Sequence, residues 1–246
     1  MGYVHYGSEG LPDFEMQVHL LLDGSGTMAG KERKTGEPKH MRVAWLAQQL
    51  LNRLDDPQYE EAQVTLAVFS GDRKGEVKIL TLLEDYCPHE SKTYTDNTDL
   101  TYWDPLTPEN RKQGMGNLTP IGSVIAWARH RAEDWITAAP GQIQRRSIIY
   151  LLSDGQNTLG PDGRAEKQEI QAFNATSEKG LIRLACIGYF QSEPDTPQED
   201  PEEREGRKLL KELPLNPSAY FEADNVEAIL RYVLGTITPD KDAQTV

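Results

Sequence analysis

Cysteine is nearly missing from this chain: 246 residues hold two thiols, Cys87 and Cys186. A framework of disulfides is excluded at that density. Cys186, inside Ile182-Arg-Leu-Ala-Cys-Ile187, reads as a small buried hydrophobe. Long apolar runs are missing too, since none approaches the ~18 residues a membrane-spanning helix needs. Met1-Gly-Tyr-Val-His-Tyr6 has neither the basic nor the apolar region of a secretory signal, so a cytoplasmic location is expected. Positive charge is in deficit, with 26 Lys and Arg against 39 Asp and Glu, a formal net charge of -13 and a pI near 4.9. Such a surface repels phosphate, which argues against nucleic acid and anionic membranes and favours proteins or cations as partners. Several catalytic signatures are absent as well. The five histidines, His5, His19, His40, His89 and His130, show no zinc spacing. No Gly-x-x-x-x-Gly-Lys-Ser/Thr loop occurs, which excludes a P-loop ATPase. Gly24-Ser-Gly26 lacks the glycine that a nucleophile elbow would require at position 23.

What is present alternates between two periods. Apolar runs at roughly 16–23, 64–69, 147–152 and 181–188 read as strands, the most apolar of them covered on both faces. Val77 to Leu83 follows the turn Asp72-Arg-Lys-Gly75 so closely that it pairs antiparallel, as an edge. Helical spacing marks 40–55, where Asp55-Asp-Pro57 ends it, then 119–138, 163–179, a stretch after 204 up to Leu213, and 226–237. A short strand near 219–222 completes the pattern. The expectation is one α/β domain over 16–238, a doubly wound, mainly parallel six-stranded sheet with one antiparallel edge strand and helices on both faces. Residues 1–15 form a lead-in, 239–246 a disordered tail, and 85–116 and 192–204 long loops.

In such sheets ligands bind beyond the carboxyl ends of the strands, where strand order reverses. Three segments fall at that edge. Asp23-Gly-Ser-Gly-Thr27 leaves the first strand, Thr119 stands at the mouth of a helix, and Asp154 leaves Ser147–Ser153. Each alone is an ordinary turn or helix cap. Together, in this order, two acids and three hydroxyls make a set of hard oxygen donors suited to a small divalent cation.

These motifs, Asp23-Gly-Ser-Gly-Thr-Met28, Thr119 and Leu151-Leu-Ser-Asp-Gly155, resemble the metal-ion-dependent adhesion site of von Willebrand factor type A (VWA) domains. The resemblance spans roughly 14–238, with Thr27 where the family pattern has serine. It implies that Ser25, Thr27 and Thr119 touch Mg²⁺ or Mn²⁺ directly, and that Asp23 and Asp154 act mainly through waters. It also implies an open position that takes a Glu or Asp from a partner protein, and no catalytic residues. Leu54-Asp-Asp-Pro57 and Val64-Thr-Leu-Ala-Val-Phe69 further resemble intracellular bacterial members of the TerY type. That likeness implies an adaptor or regulator in stress-response or anti-phage systems, with a kinase, phosphatase or AAA+ ATPase from the same operon as partner. A competing resemblance treats Asp23-Gly-Ser-Gly-Thr27 as the nucleophile loop of haloacid-dehalogenase-type phosphatases, with Asp23 attacking phosphorus. Thr119 opening a helix, instead of ending a strand, speaks against it.

Three loops stand to select the partner. Lys31, Arg33, Lys34, Lys39 and Arg42 form a positive stretch beside the cation, against the plainer reading of a solvated loop. Tyr94, Tyr102 and Trp103 offer aromatic anchors or a cover for the sheet edge. Glu193, Asp195, Glu199, Asp200, Glu202 and Glu203 form an acidic loop that is either freely solvated or supplies a carboxylate to the metal in cis.

Overall fold

Alternating faces of three apolar strands organise the molecule. In β1 (Phe14–Asp23), Val18, Leu20 and Leu22 point to one side of the sheet and Leu21 to the other. A computed structural model describes residues 14–56, 59, 62–72, 76–88, 104–139, 143–157, 164–178, 180–223 and 225–237. Behind β1 come α1 (Lys39–Leu54), β2 (Ala62–Gly71), β3 (Val77–Tyr86), a short α2 (Pro108–Lys112) and α3 (Ile121–Thr137). Then follow β4 (Gln144–Ser153), α4 (Arg164–Ser177), β5 (Ile182–Gly188), α5 (Pro201–Glu212), β6 (Tyr220–Glu222) and α6 (Val226–Ile237). The sheet order is β3-β2-β1-β4-β5-β6, with β3 antiparallel and the other strands parallel. This is the expected doubly wound α/β architecture.

Both faces of the sheet are covered, which is why β1, β2 and β4 are so uniformly apolar. On one face Val18, Leu20 and Leu22 meet Val43, Leu46 and Leu50 of α1 and Ile229 of α6. On the other, Leu21, Ile149 and Leu151 meet Val124 and Ile125 of α3, Phe173 of α4 and Leu210 of α5. Truncating one of these buried leucines to alanine costs about 2–5 kcal/mol, through lost transfer energy and the cavity left behind.

The chain leaves β1 toward β2 on one side, while β4 leads to β5 and β6 on the other. The order therefore reverses between β1 and β4, which pair in parallel with Leu22 opposite Leu152. Asp23 ends the first of these strands and Asp154 directly follows the second. Both carboxylates thus leave neighbouring strands at the crevice where such sheets bind ligands.

Boundaries differ from expectation in several places: β2 and β4 begin earlier, at Ala62 and Gln144. α5 starts at Pro201, inside the stretch expected to be loop up to 204, because Asp200 caps it through Glu202 N and Glu203 N. The stretch 85–116 holds the end of β3 and the short α2, capped by Thr107. Tyr94, Tyr102 and Trp103, the expected lead-in up to residue 13, Arg73 to Gly75 and the tail after 239 lie outside the described residues.

Candidate metal centre

Past Asp23 the chain is pinned on both sides. Gly24 N donates to Phe69 O (2.8 Å), and Gly116 N donates to Gly24 O (2.7 Å). A 3-10 turn over Gly26–Ala29 then carries the loop toward α1. Asp23 Oδ1 accepts from Ser25 N (2.8 Å), and the Ser25 and Thr27 hydroxyls lie 3.0 Å apart. Alternate positions of a tight turn therefore bring these three side chains to one spot.

Thr119 is brought to the same edge by backbone bonds. Gly26 N donates to Asn117 O (2.9 Å), and Leu118 and Gly71 exchange bonds of 3.1 and 2.7 Å. Ser70 Oγ completes the stitch, donating to Leu118 O and accepting from Asn117 N, both at 3.1 Å. Just beyond Thr119, α3 begins without a side-chain cap of its own from Pro120. Its free amides are met from elsewhere: Asn157 Oδ1 accepts from Ile121 N (3.0 Å), and the buried Glu166 carboxylate takes Gly122 N, Ser123 N and the Ser123 hydroxyl. A carboxylate at a helix N-terminus is favoured by the orphan amides and by the helix dipole.

Asp154 joins through its neighbour. Ser153 Oγ donates to Asp23 Oδ2 (2.5 Å) and accepts from Gly155 N (3.0 Å). Asp154 Oδ1 accepts from Gln156 N (3.2 Å), and Oδ2 accepts from Lys39 Nζ (3.0 Å). Asp23, Ser25 and Asp154 are fully buried and Thr119 is nearly so, whereas Thr27 is exposed. Burial, with the Asp154 charge beside it, pushes the Asp23 carboxyl up to about 7. An acid held this way is short of positive charge.

A buried lysine supplies some of it. Lys39, at 1 % exposure, is shared between Asp154 and Glu203, whose Oε1 also lies 3.0 Å from Nζ. Glu203 further accepts from Gln191 N (2.8 Å), Ser192 N (2.9 Å) and Ser192 Oγ (2.7 Å). Despite its burial, these bonds and the Lys39 charge hold the Glu203 carboxyl below the usual carboxylate range. Three carboxylates against one ammonium leave the cluster net negative. The donor set therefore fits a small divalent cation in both chemistry and charge: hard oxygens, two of them carboxylates, with a side open at Thr27. Thr27 opens onto a cleft of about 880 Å³, lined by Gln156, Lys167, Glu202, Glu205 and Leu209 among others.

Ser153, Asn157 and Glu166 are supporting residues that sequence reasoning missed, and so is the pairing of Lys39 with Glu203, both of which it names separately in the basic stretch and the acidic loop. Of the stretch read as either a positive patch beside the cation or a solvated loop, Lys39 is interior. The rest of that stretch is partly neutralised, with Arg33 on Glu193 (2.7 Å) and Arg42 on Glu37 (3.5 Å) and over the Trp45 ring (4.6 Å). Part of the acidic segment is engaged away from the oxygen cage, whereas Glu202 lines the cleft at Thr27. Glu199 pairs with Arg204 (3.1 Å) and Arg207 (2.5 Å), Asp200 caps α5, and Glu203 reaches the site only through Lys39.

No family model matches this sequence, and no curated protein matches it. Solved structures do. An aerotolerance-related membrane protein from Bacteroides fragilis is similar at 18 % identity and a TM-score of 0.51, over 90 % of this chain and 98 % of that one. BatB from Bacteroides thetaiotaomicron is similar at 16 % identity and 0.51, over 91 % and 100 %. The manganese-loaded TRAP protein of Plasmodium vivax is similar at 15 % identity and 0.50, over 88 % and 72 %. At these identities the likeness is one of fold. The fold is that of VWA domains. No described helix is long and apolar enough to cross a membrane.

Proposed function

We propose that this chain is a divalent-metal-dependent protein-interaction module, with Ser25, Thr27 and Thr119 binding Mg²⁺ or Mn²⁺ and Asp23 and Asp154 holding its waters. A Glu or Asp of a partner protein completes the coordination. The observation that carries this reading is the buried, positively under-compensated oxygen cluster that Asp23–Thr27 and Ser153–Asp154 build at the sheet's switch point, with the Thr119 segment tied beside it through Gly26 N and Asn117 O. When bound, the cation supplies an electrophilic centre for an external carboxylate. The protein's part is to hold hydroxyls and water-orienting acids in place. Asp23 is fixed for that part: each of its oxygens accepts one bond, from Ser25 N and from Ser153 Oγ, and keeps a lone pair for a water.

The TerY-like motifs extend the proposal to a bacterial cytoplasmic adaptor or regulator in stress-response or anti-phage systems, with a kinase, phosphatase or AAA+ ATPase encoded beside it as partner. Calorimetric titration with Mg²⁺ and Mn²⁺ should show one site in the native chain and none in Asp23→Ala. Pull-down of the neighbouring gene products should succeed with Mg²⁺ and fail with EDTA or with Asp23→Ala. Equal capture in all three conditions would overturn the metal-mediated mechanism. Mg²⁺-dependent phosphate release that is lost in Asp23→Ala would replace it with the phosphohydrolase reading.

A further inference from the structure

Lys39 is an odd residue to bury where it is. It opens α1, whose first turn holds no acid, so its charge adds to the positive end of the helix dipole. A lysine almost never goes below a few per cent exposure unless it is paired. Here its two pairing oxygens, Asp154 Oδ2 and Glu203 Oε1, come from the end of β4 and from α5. An ammonium has three N–H donors and no acceptor, so it cannot ligate a metal. What it brings to the site is positive charge.

From this we infer that Lys39 is an internal cation that competes with the divalent metal for Asp154 and so sets the metal affinity of the site. The inference rests on the metal-binding reading above and concerns how tightly that site holds its ion. Both oxygens of Asp154 are already committed, Oδ1 to Gln156 N and Oδ2 to Lys39 Nζ. A cation whose water shell is held by Asp154 must share that carboxylate with an ammonium. The two positive charges then face each other in a region with almost no solvent to screen them, where charges act far more strongly than at a surface. Glu203 keeps the ammonium in place whether or not the metal arrives, because its own position is fixed by Gln191 N, Ser192 N and Ser192 Oγ. Lys39 is therefore a positioning and affinity-setting residue that does not touch the ion. It makes the bare site self-supporting at the expense of metal affinity.

The test is Mn²⁺ titration, by calorimetry and by the electron paramagnetic resonance signal of free Mn²⁺, on the native chain, Lys39→Met and Lys39→Gln. Both variants should bind Mn²⁺ at least tenfold more tightly than the native chain. Both should also melt at a lower temperature in EDTA and recover in saturating Mn²⁺, as expected for carboxylates left without their counter-ion. A purely structural lysine would lower stability without tightening the metal. Affinities within threefold of native in a folded variant, or weaker, overturn the inference and leave the metal-binding reading standing. Binding by the variants but not by the native chain upholds the competition and overturns metal-dependent function for the native protein. No binding by any of the three overturns both. Should neither variant fold, the ammonium ¹⁵N resonance of Lys39 in the native chain is followed during Mg²⁺ titration. A shift that saturates with the metal supports the inference, and an unmoved resonance overturns it.

Discussion

His19 is fully buried on β1, and its ring meets Trp127 of α3 edge-on at 6.5 Å. Nε2 donates to Gln17 Oε1 at 2.9 Å, and Nδ1 has no hydrogen-bond partner among the described residues. Burial, with the Arg131 charge adding to it, lowers its pKa to about 3. Between that value and the ordinary 6.5, the unfolded chain takes up a proton that the folded chain refuses. Stability therefore falls as pH falls through this window, by up to about 1.4 kcal/mol per pH unit from this one group. Urea unfolding at pH 7.5, 6.0 and 5.0 should show a steeper loss for the native chain than for His19→Gln, which cannot take up the proton. Parallel pH profiles would refute the assignment. Histidine type alone does not disclose this behaviour. It arises because β1 is covered by α3, and that is a matter of packing.

At the scale of elements, α5 is the piece that closes the site from the side. Its start was legible in Asp200-Pro201-Glu-Glu203, an N-cap followed by proline at the first helical position and acids in the first turn. Density of proline and acid masked that signature and made the stretch read as loop. The packing of α5 was not legible. Gly206 lies so close to the loop after β4 that a Cβ there would come 2.5 Å from Asp154 O, and Gly155, at φ +69, faces the Gly206 carbonyl. Gly206→Ala should therefore push α5 away from Asp154, at a cost of about 1–3 kcal/mol typical of overpacking. Denaturant unfolding checks this against Lys208→Ala on the exposed side of the same helix, which should stay within about 0.5 kcal/mol of native. Because Glu203 moves with α5 and pairs with Lys39 of α1, Mn²⁺ affinity should change in Gly206→Ala and not in Lys208→Ala.

At the scale of the molecule, the proposed metal binding makes ion affinity and the stability of the domain one equilibrium. A ligand that binds only the folded state adds RT ln(1 + [L]/Kd), about 2.7 kcal/mol at one hundred times Kd. For a domain of this size each kcal/mol moves the melting temperature by about 2–4 °C. Saturating Mg²⁺ or Mn²⁺ should thus raise the melting temperature of the native chain by roughly 5–10 °C. In Asp23→Ala the increment should vanish. Scanning calorimetry with and without EDTA reads both, and an equal increment in the two proteins would show that the ion binds elsewhere.

The amino-acid sequence by itself determined the alternation of strands and helices, the antiparallel edge strand and the five oxygen-bearing residues at strand ends and a helix mouth. Those features are written in local periodicity and in turn chemistry, which a short window of residues discloses. Tertiary structure alone decided how those residues are charged and supported. Lys39 and Asp154 are 115 positions apart, and Lys39 and Glu203 are 164 apart. No local pattern distinguishes a lysine destined for that cluster from the solvated lysines beside it. The outcome depends on which strands adjoin in the sheet and on which helix closes over their ends. Burial then turns ordinary surface charges into the electrostatics of a site, since the same groups separated in water would scarcely feel one another.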